Sequence, residues 1–301
     1  MGGKAFHRRV DGVLLLDKPL GLSSNAALQR SRRAYGALRA GHTGTLDPLA
    51  SGLLPVCFGE ATKLSAELLD AGKAYQARVR LGIRTSTADS EGEVLSEVKP
   101  EASREAILAA LERFKGDLFQ VPPMHSALKR NGEALYALAR RGETVDRPPR
   151  AIRIYALNLL EFDGTDLELA VECSKGTYIR VLAEDIGDAL GCGAHLAGLR
   201  RTRVGPFVLS DAISLAAVED PCNRQAIDRW LLPVESLAGA RPLVTLSAVR
   251  ADAFRNGRAI SPFRGPEGTV RVHGPDGRFL GLGSVAGESL TVRRGMSHEP
   301  Q

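Results

Sequence analysis

The stretch Gly41-His42-Thr43-Gly44-Thr45-Leu46-Asp47-Pro48-Leu49-Ala50-Ser51-Gly52-Leu53-Leu54-Pro55 carries one carboxylate, Asp47, among glycines and an apolar run. Pro48 pushes Asp47 out of the helical region, towards an extended or turn conformation. Gly41, Gly44 and Gly52 permit backbone angles or close approaches that a side chain would block. A charge set among Leu46, Leu49, Leu53 and Leu54 is costly to bury without a partner. Two readings follow. Either Asp47 sits on a solvated Asp-Pro turn, or a cation or donors elsewhere in the chain hold it in a pocket.

The whole chain bounds the choice. Its 301 residues suggest one large domain, or a large domain with a small one, and 44% hydrophobic content is enough for a packed core. No apolar run approaches the roughly 20 residues of a membrane helix. The run at 13–16, behind a basic N-terminus over 1–9, is too short for a signal peptide. A cytoplasmic location is the expectation. Forty Lys and Arg against 35 Asp and Glu give a formal net charge of +5. The basic residues cluster at Arg8-Arg9, Arg30 with Arg32-Arg33, Lys129-Arg130, Arg140-Arg141, Arg147 with Arg150, Arg200-Arg201 with Arg203, and Arg293-Arg294. Such patches suit a phosphate backbone, although paired arginines also serve as solvated helix faces. Cys57, Cys173, Cys192 and Cys222 form no C-x-x-C and read as buried free thiols; no His cluster has metal-ligand spacing. There is no Walker loop and no G-x-G-x-x-G, so nothing argues for a nucleotide cofactor or a metal.

In chain order, residues 11–19 read as a short buried strand ending at a Lys-Pro turn. Ser23 or Ser24 caps a helix through about Tyr35, with Arg30 and Arg33 on one face. Residues 62–69 read as another helix. Over 73–81, Tyr75, Ala77, Val79 and Leu81 alternate with Gln76, Arg78 and Arg80, a half-buried strand with Tyr75 at its start. An aromatic there usually packs into the core. Ser103 caps a helix carrying Ile107, Leu108, Leu111 and Phe114. Residues 121–150 change character. A Pro pair, the basic Lys129-Arg130-Asn131-Gly132 turn, a short helix over 133–141 and a charged stretch read as a protruding insert with a basic edge, suited to RNA. Residues 152–160 and 167–173 form a hairpin turning at Asp163-Gly164.

Thr177 is a reasonable N-cap for a helix with Ile179, Leu182, Ile186 and Leu190 at helical spacing. That puts Arg180 in the first turn, where the helix dipole disfavours a cation. A nearby anion would account for it, and Asp47 is the candidate; an Arg reaching water is the other reading. Residues 194–203 add a second basic element, and 216–242 show no clear period. From Leu243 the texture shifts to a short helix over 248–256 and brief strands at 269–273, 279–282 and 290–293. This small β-rich module begins within 240–247.

Several spaced motifs point to one family. Gly12-Val13-Leu14-Leu15-Leu16-Asp17-Lys18-Pro19 with Gly21 and Ser23-Ser24, the Asp47 stretch through Gly52, and Gly59-Glu60-Ala61-Thr62-Lys63 resemble the bacterial tRNA pseudouridine-55 synthases, the TruB family. So do Lys73-Ala74-Tyr75, the segment from Cys173 to Arg180, Gly191-Cys192-Gly193-Ala194-His195 and Leu199-Arg200-Arg201. The match covers roughly residues 11–205 in order and spacing. The C-terminal module is similar, more loosely, to the family's PUA-type RNA-binding domain. The resemblance implies an α+β fold: a pseudouridine-synthase catalytic domain over 1–240, with a mixed, mainly antiparallel central sheet flanked by helices and an RNA-binding insert at about 121–150. A PUA-like domain would follow over 241–301. It implies isomerisation of the T-loop uridine of tRNA to pseudouridine without cofactor or metal, by a monomer with no obligate protein partner and no membrane attachment. Asp47 matches the catalytic aspartate, Tyr75 the tyrosine that stacks on the target base, and Arg180 the arginine that pairs with the aspartate. Tyr178, Lys18, Lys63 and Leu199 match other active-site positions, and His42 a histidine near the flipped nucleotide. Ser86 stands where the family often has Asp, and His125 where Tyr is common; neither is expected to touch the carboxylate.

The residue types suit that chemistry. A looped uridine must leave its stack before its ribose carbon can be reached, and an aromatic face can hold the extruded base. A carboxylate can act as nucleophile or as a charge opposite an oxocarbenium-like centre. A glycosidase or nucleoside hydrolase would need a water-activating base beside the first acid, and none is evident. A catalytically silent tRNA-binding or tRNA-folding protein on the same scaffold is the other alternative, but RNA binding alone does not need an isolated acid in an apolar loop.

Overall fold

A computed structural model describes residues 8–126, 128–130 and 132–297 of the chain. Most of the basic N-terminus, Asn131 of the insert's turn and Ala127 lie outside the described residues. The apolar run at the start becomes β1 (Gly12–Lys18), buried along nearly its whole length. Leu14 and Leu16 enter one core cluster while Val13 and Leu15 enter another, so the strand is covered on both faces. Helix α1 (Ser24–Tyr35) follows, with Ser23 accepting from the Ala26 amide as its N-cap. Strand β2 (Ala50–Phe58) lies antiparallel to β1. The helix expected over 62–69 divides into a 3-10 turn, Gly59–Leu64, and the short α2 (Ser65–Leu69).

The other main elements before residue 205 are β3 (Lys73–Leu81), α3 (Arg104–Glu112), β4 (Gly116–Gln120), β5 (Arg150–Phe162), β6 (Asp166–Cys173), α4 (Ile179–Ala189) and β7 (Ala194–Val204). The sheet runs β1-β2-β7-β3-β6-β5-β4, extended beyond β1 by Ile213–Ser214. The β2–β7 pair is parallel and the others within this run antiparallel, giving the mixed, mainly antiparallel sheet expected. β3 sits between β7 and β6, and its Ala77, Val79 and Leu81 join Leu169, Val171, Ile107, Leu182 and Ile186 in the largest core cluster. Period-2 alternation on the strand and period-3.6 spacing on the helices meet in one layer interface.

The C-terminal module contains β8 (Leu243–Thr245), α5 (Ala248–Arg255), β9 (Gly268–His273), β10 (Phe279–Ala286) and β11 (Ser289–Gly295) in a four-stranded sheet. It has its own core around Phe254, Val270, Val272 and Leu290, yet Leu282 and Met296 join Val13, Leu53 and Phe207 of the large sheet. Arg241 and Arg293 also both reach Glu67. Within 121–150, a two-residue ladder (Lys129–Arg130 with Glu133–Ala134) precedes a helix, Leu135–Arg140, one turn shorter than expected. Cys57, Cys173 and Cys192 are buried, but Cys222 is exposed: it falls in the polar 3-10 turn Pro221–Asn223, whose Asp220 side chain accepts from its amide. None of the described helices is long and apolar enough to cross a membrane.

Candidate active site

The Asp47 loop is held by neighbours on three sides. The hydroxyl of Ser24 accepts from the Leu46 amide (2.7 Å) and donates to the Leu46 carbonyl (2.9 Å), tying the loop to the first turn of α1. The Gly21 amide donates to the Pro48 carbonyl, and the Ala50 amide closes back on Asp47. Gly52, at φ +100, passes against β7 so closely that a Cβ would stand 2.3 Å from the Arg201 carbonyl oxygen. Only glycine permits that approach.

Arg180 is the cation anticipated for Asp47. Its Nη2 donates to Asp47 Oδ2 at 2.9 Å and to the His125 carbonyl at 2.8 Å. Its Nη1 donates to Asp89 Oδ2 at 3.2 Å, a partner that sequence reasoning missed. Asp89 is fixed in turn, its Oδ1 accepting from the Thr87 hydroxyl and the Glu91 amide. The side chains of Arg180 and Asp89 are 7% and 2% exposed, whereas that of Asp47 is 45% exposed and opens to the cavity. His125 lines the cavity, and its backbone carbonyl accepts from the guanidinium that holds Asp47. Ser86 lies elsewhere, its hydroxyl accepting from the Glu93 amide.

Helix α4 is not capped by Thr177, whose hydroxyl donates to the Ser174 carbonyl. Tyr178 is the N-cap, and the Gln120 amide brackets its backbone, accepting from the Tyr178 amide (3.0 Å) and donating to the Tyr178 carbonyl (3.2 Å). This bracket aims the first turn, and Arg180 with it, at the Asp47 loop.

A cavity of about 510 Å³ opens here, within the usual range for a small-molecule site. Asp47, Tyr75, Tyr178, Arg180 and Leu199 line it together, with Arg140 from the insert, Lys73 and Arg201. Three matched residues are not on its wall. Lys18 is fully buried at the end of β1, donating to the Pro19 and Leu22 carbonyls. Lys63 pairs with Glu60 and donates to the Ser297 hydroxyl, where the two domains meet. His42 lies on the short strand Ala40–His42, with Nδ1 buried and without a partner.

Burial pushes the Asp47 carboxyl above the ordinary aspartate range; Arg180 opposes the rise, Asp89 adds to it, and Lys18 and His125 oppose it. Burial also raises the Tyr75 phenol, with the Arg201 charge opposing. Burial lowers Lys18 to about 8, the Asp47 charge partly offsetting it. Burial lowers the His42 imidazole, which favours its neutral form. Among the described residues no His, Cys, Asp and Glu group could hold a metal.

The mixed sheet with its C-terminal β module, together with the family and fold matches, places the chain among the pseudouridylate synthases, which are isomerases. A solved structure described as a Cbf5-Nop10-Gar1 complex matches with a TM-score of 0.70 and 29% identity, covering 92% of this chain and 78% of that one. One described as an H/ACA RNP bound to a substrate RNA containing 2′-deoxyuridine gives 0.73 and 25%, covering 95% and 85%. The N-terminal domain of the TruB family pseudouridylate synthases matches residues 32–179, and two C-terminal TruB domains match 180–238 and 242–296. The tRNA pseudouridine synthase B of Dechloromonas aromatica is 54% identical over 280 residues, 93% of each chain. That of Stutzerimonas stutzeri is 52% identical over 298 residues, 97% of each. This chain belongs to the TruB family.

Proposed function

We propose that the chain isomerises the T-loop uridine of tRNA, position 55, to pseudouridine, with Asp47 as the catalytic carboxylate. The relatives named as tRNA pseudouridine synthases support tRNA as the substrate. The observation that carries Asp47 is its clamp: among the described residues it is the one carboxylate both held by Arg180 and open to the cavity. The extruded uridine would stack on Tyr75, with Tyr178 and Leu199 walling the cavity. Asp47 then meets the ribose C1′ as nucleophile or as a negative charge opposite an electron-poor carbon; both roles need it ionised and aimed. Asp89 could serve as the second acid of a hydrolase, but it is buried and turned into Arg180, with no face left for water. Hydrolysis is therefore disfavoured and the base stays with its ribose. The insert and the C-terminal module serve as RNA grips in this reading.

A T-stem-loop RNA labelled with tritium at C5 of the target uridine tests it. Wild type should release the label, and Asp47→Asn should not release it while still binding RNA. Release surviving in Asp47→Asn would remove Asp47 from the chemistry.

A further inference from the structure

Two buried cations on the cavity wall have no role in the account above. Arg201 is 1% exposed; its Nε donates to the Leu53 carbonyl (2.8 Å) and its Nη2 to the Gly44 carbonyl (3.0 Å). Lys73 is 8% exposed; its Nζ donates to the Leu69 and Ala71 carbonyls at 2.8 and 2.7 Å. Neither forms an ion pair with a carboxylate of the described residues. The Asp70 charge acts on Lys73 from farther off, but that carboxylate is bound to Lys175 at the surface. Both cations converge beneath the catalytic loop. A Cβ on Gly44, which has φ +81, would stand 3.5 Å from Arg201 Nη1 and 3.9 Å from Lys73 Cε.

Arg180 is balanced by Asp47 and Asp89, and Glu91 and Arg140 on the wall are opposite in sign, so Lys73 and Arg201 leave the cavity with surplus positive charge. Carbonyl dipoles offset only part of the desolvation of a buried cation. A pocket for a neutral base gains nothing from such a surplus in the ground state. The situation changes when the N1–C1′ bond breaks. The bonding electron pair stays on N1 and spreads to the two carbonyl oxygens, so the base becomes an anion inside the cavity. Joining C5 to C1′, losing the C5 proton and reprotonating N1 restores neutrality. Charges fixed in advance around a developing anion in a low-dielectric site are worth far more than in water. A backbone phosphate fits less well, because it stays at the solvent rim, and Arg201 is covered with two of its nitrogens already engaged.

We propose that Lys73 and Arg201 stabilise the uracil anion formed when the glycosidic bond of the target uridine breaks. This rests on the Asp47 cavity being a uridine isomerase site. The test uses the full chain and two stem-loop RNAs, one with uridine and one with 5-fluorouridine at the target. Fluorouracil is the stronger N–H acid, so its anion departs with less help. Lys73→Gln keeps an amide donor for the two carbonyls and removes the charge; Lys73→Arg keeps the charge. Arg201→Gln and Arg201→Lys repeat the contrast, with thermal melting as the check on folding. Single-turnover glycosidic cleavage at saturating RNA is the readout. Lys73→Gln should slow uridine cleavage by about a hundredfold, the scale of a lost oxyanion donor. The loss should be several-fold smaller on 5-fluorouridine, and Lys73→Arg should recover most of the rate. Equal losses on both RNAs would make the role structural and overturn the proposal. Weaker binding with an unchanged single-turnover rate would mark a phosphate contact, and would overturn it too. A wild type that leaves the uridine RNA unconverted would remove the site reading and this inference with it, a result visible without any substitution.

Discussion

In the proposed role Asp47 must stay ionised, although its surroundings disfavour the charge. Burial raises its pKa, so the acid limb of the pH–rate profile should lie above the ordinary aspartate value. The stability linkage has the opposite sign. A carboxyl whose folded pKa exceeds its unfolded one binds more protons when folded, so this group's contribution grows as pH falls through the folded value and on to the unfolded one. Activity should therefore decline with acid before the fold does, as parallel rate and melting measurements would show. Asp89 sharpens this. Its negative charge raises Asp47, and its hydrogen bond holds Arg180. Asp89→Asn should move the acid limb to lower pH and slow the single-turnover step by about tenfold to a hundredfold, the equivalent of one charged hydrogen bond. An unmoved acid limb would contradict the coupling. The Asp47–Arg180 pair was legible because a cation in the first turn of a helix calls for an anion. Asp89 was not, since it comes from a polar, turn-rich loop whose sequence has no period to place it.

Among the elements, the start of α4 depends on β4 rather than on its own capping residue. Gln120 stands at the last position of β4, 4% exposed, and satisfies both the amide and the carbonyl of Tyr178. The same bracket ties the root of the insert to the turn that presents Arg180. Gln120→Ala leaves the Tyr178 amide unpaired, at about 1–3 kcal/mol, while the carbonyl keeps the Leu182 amide. It should lower the melting temperature and the single-turnover rate together. Gln120→Glu, which can still accept from the Tyr178 amide but cannot donate to its carbonyl, should fall between. A melting temperature unchanged in Gln120→Ala would show that other groups hold the turn. Strong periods explain what was readable at this scale: β3 follows its alternation over Lys73–Leu81, and α1 starts at its serine cap. Residues 216–242 resisted because they fold as the end of a five-residue helix (Leu215–Glu219), 3-10 turns and a two-residue strand, all too short to show a period.

At the scale of the whole molecule, the basic clusters divide by what they face. Arg8 pairs with Asp228, Arg30 with Glu219, Arg200 with Asp17 and Arg203 with Glu172, so these charges are partly spent inside the protein. Within the insert Arg141 binds both Glu133 and Glu143, so the basic edge expected there is narrower than its composition suggests. Arg140, its neighbour, is exposed and lines the Asp47 cavity. A net charge of +5 thus understates some regions and overstates others as RNA contacts. Counterion release discriminates between them, because only cations that meet phosphates steepen the dependence of binding on salt. Arg140→Ala should weaken binding of the stem-loop and reduce the slope of log affinity against log salt by about 1, the loss of one phosphate contact. Arg30→Ala should leave the slope unchanged, because it removes a charge that Glu219 already opposes. Titrations of both variants over a range of salt concentration check this, and equal slope changes would mean that the ion pairs of the free protein open to meet the RNA.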